Sequence, residues 1–160
     1  MKPGFRLCRV SEGVIRQPAI YGLRLAVLDA KGRIVARPRR FADLAPFVGP
    51  ITTEAQALAF VRLYSQYPDF LLFEERRLEI RPGESFLRLP QTVGDRLAPV
   101  QVNSTRRGFH LARDLVHFDD QCKALAAFRS DETVERNGHY RLRVERTYPD
   151  GDAIELLLPE

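Results

Sequence analysis

The sequence predicts an α+β domain with a mostly antiparallel sheet, hairpins near both ends and one or two packed helices. Three observations lead there. Apolar and polar residues alternate with a period of two near both ends of the chain, turn residues bound these runs, and a capped helical stretch lies between them. Strand and helix patterns do not alternate regularly, which argues against a doubly wound parallel sheet.

The chain of 160 residues is sized for a single globular domain, 1–160. Residues 1–17 read as an irregular basic segment, because Pro3-Gly4 and Gly13 interrupt any period. Residues 21–28 read as a strand that places Tyr21, Leu23, Leu25 and Val27 on one face. Asp29-Ala30-Lys31-Gly32 then turns the chain and 33–37 return, forming a hairpin. Pro38, Pro46, Gly49 and Pro50 make 38–50 a loop. Thr53 with Gln56 three residues on is a capping box, so a helix is expected over 53–66. Apolar residues nearly encircle that helix, which predicts burial. Pro68 ends it.

Residues 70–73, 77–80 and 86–89 read as short strands. A long connection follows over 91–108, with a further strand near 100–102. In 109–128, Leu111, Leu115, Phe118, Cys122 and Leu125 fall on one helical stripe. A helix is the first reading there, and two strands turning at Asp119-Asp120 are the alternative. Farther on, Tyr140, Leu142, Val144 and Tyr148 alternate with Arg141, Arg143, Glu145 and Thr147. Pro149-Asp150-Gly151-Asp152 turns the chain and 153–158 return, which predicts a C-terminal hairpin with one dry and one wet face.

Composition narrows the function classes. With 44% hydrophobic and 29% charged residues the chain can build a core, and without Trp that core rests on aliphatic residues and Phe. No apolar run is long enough for a membrane span or a secretory leader, so a cytoplasmic, non-membrane protein is expected. Cys8 and Cys122 lack metal or redox spacing and read as free thiols. Residues 1–50 carry ten Lys/Arg against three Asp/Glu, and the rest of the chain is slightly acidic.

The motifs for phosphate loops, dinucleotide binding, zinc and serine nucleophiles are all missing, so no cofactor or metal is expected. Three constellations remain. On the helical reading, His110, Asp114, His117 and Gln121 share one face, where two imidazoles and a carboxylate could hold a metal or orient a general base. An ordinary solvated helix face explains the same residues. Arg33, Arg37, Arg39, Arg40, Arg106 and Arg107 suit phosphates or acidic partners, although few aromatics lie nearby for base stacking. Glu74-Glu75 with Asp119-Asp120 could pair as catalytic acids, but the adjacent Arg76-Arg77 argues for surface ion pairs.

These readings favour a non-enzymatic binding or accessory module acting through a protein partner or self-association. Its positive hint is the consecutive Leu156, Leu157 and Leu158, which make the last strand apolar on both faces and Leu157 a candidate interface residue. An Arg-dependent nucleic-acid-binding protein is the second reading. A small metal-dependent or general-base enzyme centred on His110, Asp114 and His117 is the third.

Overall fold

The computed structural model describes residues 1–11, 23–66, 69–83 and 85–157. Its strands are antiparallel throughout and its helices few, so the α+β expectation holds. A small sheet runs in the order β1 (Arg6–Ser11), β2 (Leu23–Leu28), β3 (Ile34–Ala36). The β2–β3 hairpin is the one expected, with Leu25 and Val27 buried. β1 corrects the reading of the N-terminal segment as irregular. It finds a full partner in β2, from Arg6 opposite Leu28 to Ser11 opposite Leu23. Residues 12–17 and the start of the strand expected at 21 lie outside the described residues.

The capping box forms as expected at the start of α1 (Glu54–Ser65). The Gln56 backbone N–H donates to the Thr53 hydroxyl at 3.2 Å, and the Thr53 N–H donates back to the Gln56 side chain. The helix buries one face only. Ala57, Val61 and Ser65 are covered, whereas Ala55 and Ala59 are exposed and Leu58, Phe60 and Leu63 are half-buried. It lies against one side of the sheet instead of threading the core. Residues expected as a strand at 70–73 mostly form a 3-10 turn, Asp69–Leu72, from which Phe70 and Leu72 still point inward. β4 (Arg77–Glu79), β5 (Leu87–Arg88), the one-turn helix α2 (Gln91–Gly94) and β6 (Gln101–Ser104) follow.

The helical reading of 109–128 is overturned. The segment holds β7 (Gly108–Ala112), β8 (Asp114–Phe118) and the start of β9 (Ala124–Glu135). Leu111 lies opposite Glu132 and Asp114 opposite Arg129, so β7 and β8 keep one register and act as a single long strand against β9. At Arg113 the outer neighbour changes from β6 to β4. On the other side of β9 runs β10 (Tyr140–Thr147), joined to it by a tight turn. The hairpin expected between 140–148 and 153–158 is therefore replaced: β10 pairs with β9, and β11 (Glu155–Leu156) pairs with β5.

Strand parity divides the large sheet into two faces. Phe109, Leu111 and Val134 face α1, with Phe41 packing on Phe60, Phe73 and Tyr140 in the same core. Val116, Phe118 and Ala127 face the opposite way, under Leu87, Val93, Tyr148 and Ile154. Gly151 closes this second core, since a Cβ there would sit 2.4 Å from the Ala127 backbone nitrogen. The second cover reaches only the β8 half of its face.

Arg113 is fully buried on the α1 face. Its Nε and Nη2 donate to both Glu132 carboxylate oxygens at 2.7 and 2.9 Å, and its Nη1 to the Ser65 hydroxyl and to Glu79 at 2.7 and 3.0 Å. Ser130 and Tyr140 donate to Glu132, and Arg62 donates to Glu79. One guanidinium thus ties α1 to strands β4, β7–β8 and β9.

Three turns share one design. In 29–33, 119–123 and 135–139 the first residue's N–H donates to the carbonyl of the fifth, and the fourth residue's N–H to the carbonyl of the first. That fourth residue has positive φ: Gly32 at 78°, Cys122 at 62° and Gly138 at 86°. Cys122 is the outlier, because a Cβ opposes the left-handed region.

Two stability outcomes follow. Arg113→Met leaves the buried Glu132 carboxylate without a counter-charge, while Glu79 keeps Arg62 and Arg81, and should lower unfolding free energy by about 3–5 kcal/mol, with partial recovery when Glu132→Gln is added. Equal urea midpoints for wild type and variant would contradict this. Cys122→Gly should be stabilising by up to about 1 kcal/mol, because relief of strain exceeds the extra unfolded-state freedom of glycine. A lower midpoint would place the benefit of Cys122 elsewhere.

Candidate functional site

The half of the sheet face that the second cover does not reach carries a polar pocket of about 260 Å3. Cross-strand pairing builds it. His110 on β7 lies opposite Thr133 on β9, which lies opposite Arg141 on β10. Asp131 and Arg143 form the next row, and Glu135 and His139, at the β9–β10 turn, close the end. Every one of these side chains except that of His139 sits on a strand, so the sheet fixes their spacing.

The His110 Nε2 is bonded to Asp131 Oδ1. His139 Nδ1 is 3.9 Å from Glu135. Arg143, although opposite Asp131 in register, makes no ion pair or hydrogen bond through its guanidinium among the described residues, and the same holds for Arg141. By contrast Arg33, Arg40, Arg88 and Arg129 each face an acid of the chain, Asp29, Glu74, Glu155 and Asp114 respectively. An imidazole held by a carboxylate is oriented for proton transfer, and two unpaired guanidiniums are forks for carboxylate or phosphate. His110 and Asp131 keep 46% and 40% of their side-chain surface exposed, so water has free access.

The pocket is bounded toward the covered half by a second buried ion pair. Asp114 accepts from Arg129 and from the Tyr148 hydroxyl, and its other oxygen accepts from the Ala98 N–H at 2.9 Å. Arg129 also donates to the Ala98 and Pro99 carbonyls. Burial, reinforced by the Asp114 hydrogen bond, raises the Tyr148 hydroxyl above its ordinary range.

The constellation His110, Asp114 and His117 is dispersed. His110 lines the pocket, Asp114 is locked by Arg129 and Tyr148, and His117 lies on the α1 face opposite Arg77 and Ala126. Thr133 and Ala126, the β9 partners of the two histidines, are seven residues apart, about 23 Å at the strand rise. Gln121 sits in the β8–β9 turn, donating its N–H to Asp119. No group of three His, Cys, Asp or Glu among the described residues is placed to hold a metal ion.

The arginine set divides as well. Arg33 closes the turn between β2 and β3, and Arg37, Arg39 and Arg40 follow β3. Arg33 pairs with Asp29, Arg40 with Glu74, and Arg39 uses its backbone on Asp43 and Glu74. Arg106 and Arg107 are exposed in the β6–β7 turn, beside the β9–β10 turn, where the Arg136 N–H donates to the Arg107 carbonyl. None of these six arginines lines the pocket. Glu74 accepts from Arg40, Glu75 from the Phe41 N–H, and the Asp119 carboxylate from the N–H groups of Gln121 and Lys123, while the Arg76 guanidinium donates to the Asp119 and Asp120 carbonyls. Both cysteines are free and half-buried, and burial pushes the Cys122 thiol up, away from the reactive thiolate. Leu157 is 41% exposed, with its N–H donating to the Phe86 carbonyl.

Asp131, Thr133, Glu135, His139, Arg141 and Arg143 were not singled out by sequence motifs. The alternation at Arg141 and Arg143 marks a wet face, but not which strand lies beside it. No helix among the described residues is long and apolar enough to cross a membrane. Comparison with protein-family models, curated proteins and solved structures finds no match.

Two titrating groups give the fold a pH signature. Burial, then the neighbouring Arg77 charge, holds the His117 imidazole below its ordinary 6.5. Burial pushes the Glu79 carboxyl up, but the Arg62 hydrogen bond and the charges of Arg113, Arg62 and Arg81 outweigh it, and the net shift is below 4.5. For both groups the unfolded chain binds protons first, so stability falls as pH drops, from near 6.5 for His117 and from near 4.5 for Glu79. Urea midpoints measured against pH should show both slopes in the wild type. His117→Gln should remove the upper slope and keep the lower one; an unchanged upper slope would contradict the assignment.

Proposed function

We propose that this chain is a binding module without catalytic chemistry of its own, which recognises an acidic partner protein on the open face of β7, β9 and β10. The observation that carries the reading is the pair of guanidiniums without a partner among the described residues, Arg141 and Arg143, lining one pocket with His110 and His139. Carboxylates entering there meet two bidentate donors, while Asp131 and Glu135 hold the imidazoles at the rim. Exposure of the His110–Asp131 pair favours binding over catalysis, because proton transfer gains most where water is excluded.

The pocket's small volume suits single side-chain carboxylates better than a cofactor or a nucleobase. A nucleic-acid partner would be favoured by aromatic side chains on the same face, and the residues lining the pocket include none besides the histidines.

Fluorescence anisotropy with labelled oligoglutamate and a single-stranded oligothymidylate of equal charge tests the reading. Oligoglutamate should bind, more weakly as salt rises, and Arg141→Ser with Arg143→Ser should weaken it at least about tenfold. Tighter binding of the oligonucleotide would transfer the site to nucleic acid. Absence of binding to either would overturn it.

A further inference from the structure

We infer that β10 is a docking edge, to which an extended acidic segment of the partner adds as a further strand. This rests on the acidic-partner reading above and specifies how that partner is held. Three edge strands border the large sheet: β4 with three residues, β6 with four and β10 with eight. The Ser104 N–H of β6 is taken by Glu54 of α1. Along β10 the backbone of 141–147 has no partner other than β9 among the described residues. An antiparallel strand directs alternate N–H and C=O groups to each side, so about half of these groups face outward, a template for strand addition.

The side chains along this edge select the occupant. Arg141 and Arg143 project on the pocket face. Leu142, half-buried, and Val144, 54% exposed, project on the other. An added strand sets its side chains about 4.5–5.5 Å from those opposite. The complementary segment therefore alternates acidic residues, against Arg141 and Arg143, with apolar residues against Leu142 and Val144. The irregularity between Val144 and Arg146 ends the regular stretch, so the docked segment is short. A second copy of this chain fits poorly. Antiparallel pairing of two β10 strands about a two-fold axis at Leu142, the register that matches the two arginines and the flanking apolar residues, sets Arg141 of each copy opposite Arg143 of the other, and like charges directly opposite are destabilising.

The test uses the full chain, isotope-labelled, with a short blocked peptide alternating glutamate and valine. Two controls accompany it: the same residues with the glutamates in one block, and the alternating peptide N-methylated on one set of amides. The alternating peptide should slow amide exchange on β10 and bind at least about tenfold tighter than either control, equivalent to one or two hydrogen bonds. Equal binding of all three without protection would overturn strand addition while leaving acid recognition by the arginines intact. If neither these peptides nor oligoglutamate binds, the acidic-partner reading fails as well. Protection of the same amides by the chain's own concentration, without peptide, would assign the edge to self-pairing and overturn the inference.

Discussion

The bidentate pairing of Arg113 with Glu132, backed by Glu79, is the constraint on which the architecture turns. A guanidinium without exposed surface is tolerated only where acids neutralise it and hydrogen bonds fill its donors. Here the partners come from α1, β4 and β9, so satisfying one side chain requires the helix and three strands to meet at one point. The pairing also sets register. A slip of one residue between β7–β8 and β9 would send Glu132 to the opposite face from Arg113 and leave both charges unpaired. Apolar packing alone would penalise that slip less sharply, because the middle of this strand pair is buried on both faces.

That two-sided burial explains where the site lies. The sheet packs α1 against one face and the β5, α2 and β11 segment against the other, but the second cover stops at Asp114, Arg129 and Tyr148. Beyond this line the same face is wet, and residues of equal parity that would be core at Val116 become His110, Asp131, Thr133 and Arg141. The Asp114–Arg129 pair is thus a boundary: its donors reach the carbonyls of 98 and 99 and anchor the last covering segment.

Legibility in the sequence followed local chemistry. The capping box at Thr53, the Asp29–Gly32 turn and the short strands at β4, β5 and β6 were all readable from residues close to one another. The 109–128 segment was not, for two physical reasons. As a strand, the segment puts Arg113 on one face with Leu111 and Leu115, and the acids that neutralise it there, Glu79 and Glu132, are distant in sequence. And Cys122 occupies the left-handed position that glycine holds in the two sister turns, so the hairpin lacked its usual mark. Once that hairpin was hidden, β9 had no outline, β10 was assigned the wrong neighbour, and the pocket formed between β7, β9 and β10 could not be assembled. Arg141 and Arg143 were visible as a wet alternation, while the histidines and acids beside them were not.

Charge placement, more than net charge, separates this surface from the rest of the chain. The basic excess lies in residues 1–50, yet Arg33 and Arg40 there are paired with nearby acids. The segment 101–160 is slightly acidic overall and nonetheless holds the pocket's two guanidiniums that have no partner among the described residues. An edge strand needs protection from its own copies, and charged side chains such as Arg141 and Arg143 along it provide that protection. The same arginines, by repelling a like-charged strand, set the condition under which an oppositely charged strand gains. Protection and recognition then require no separate residues: Arg141 and Arg143 would serve both, and removing them would weaken acid binding and open β10 to self-pairing at once.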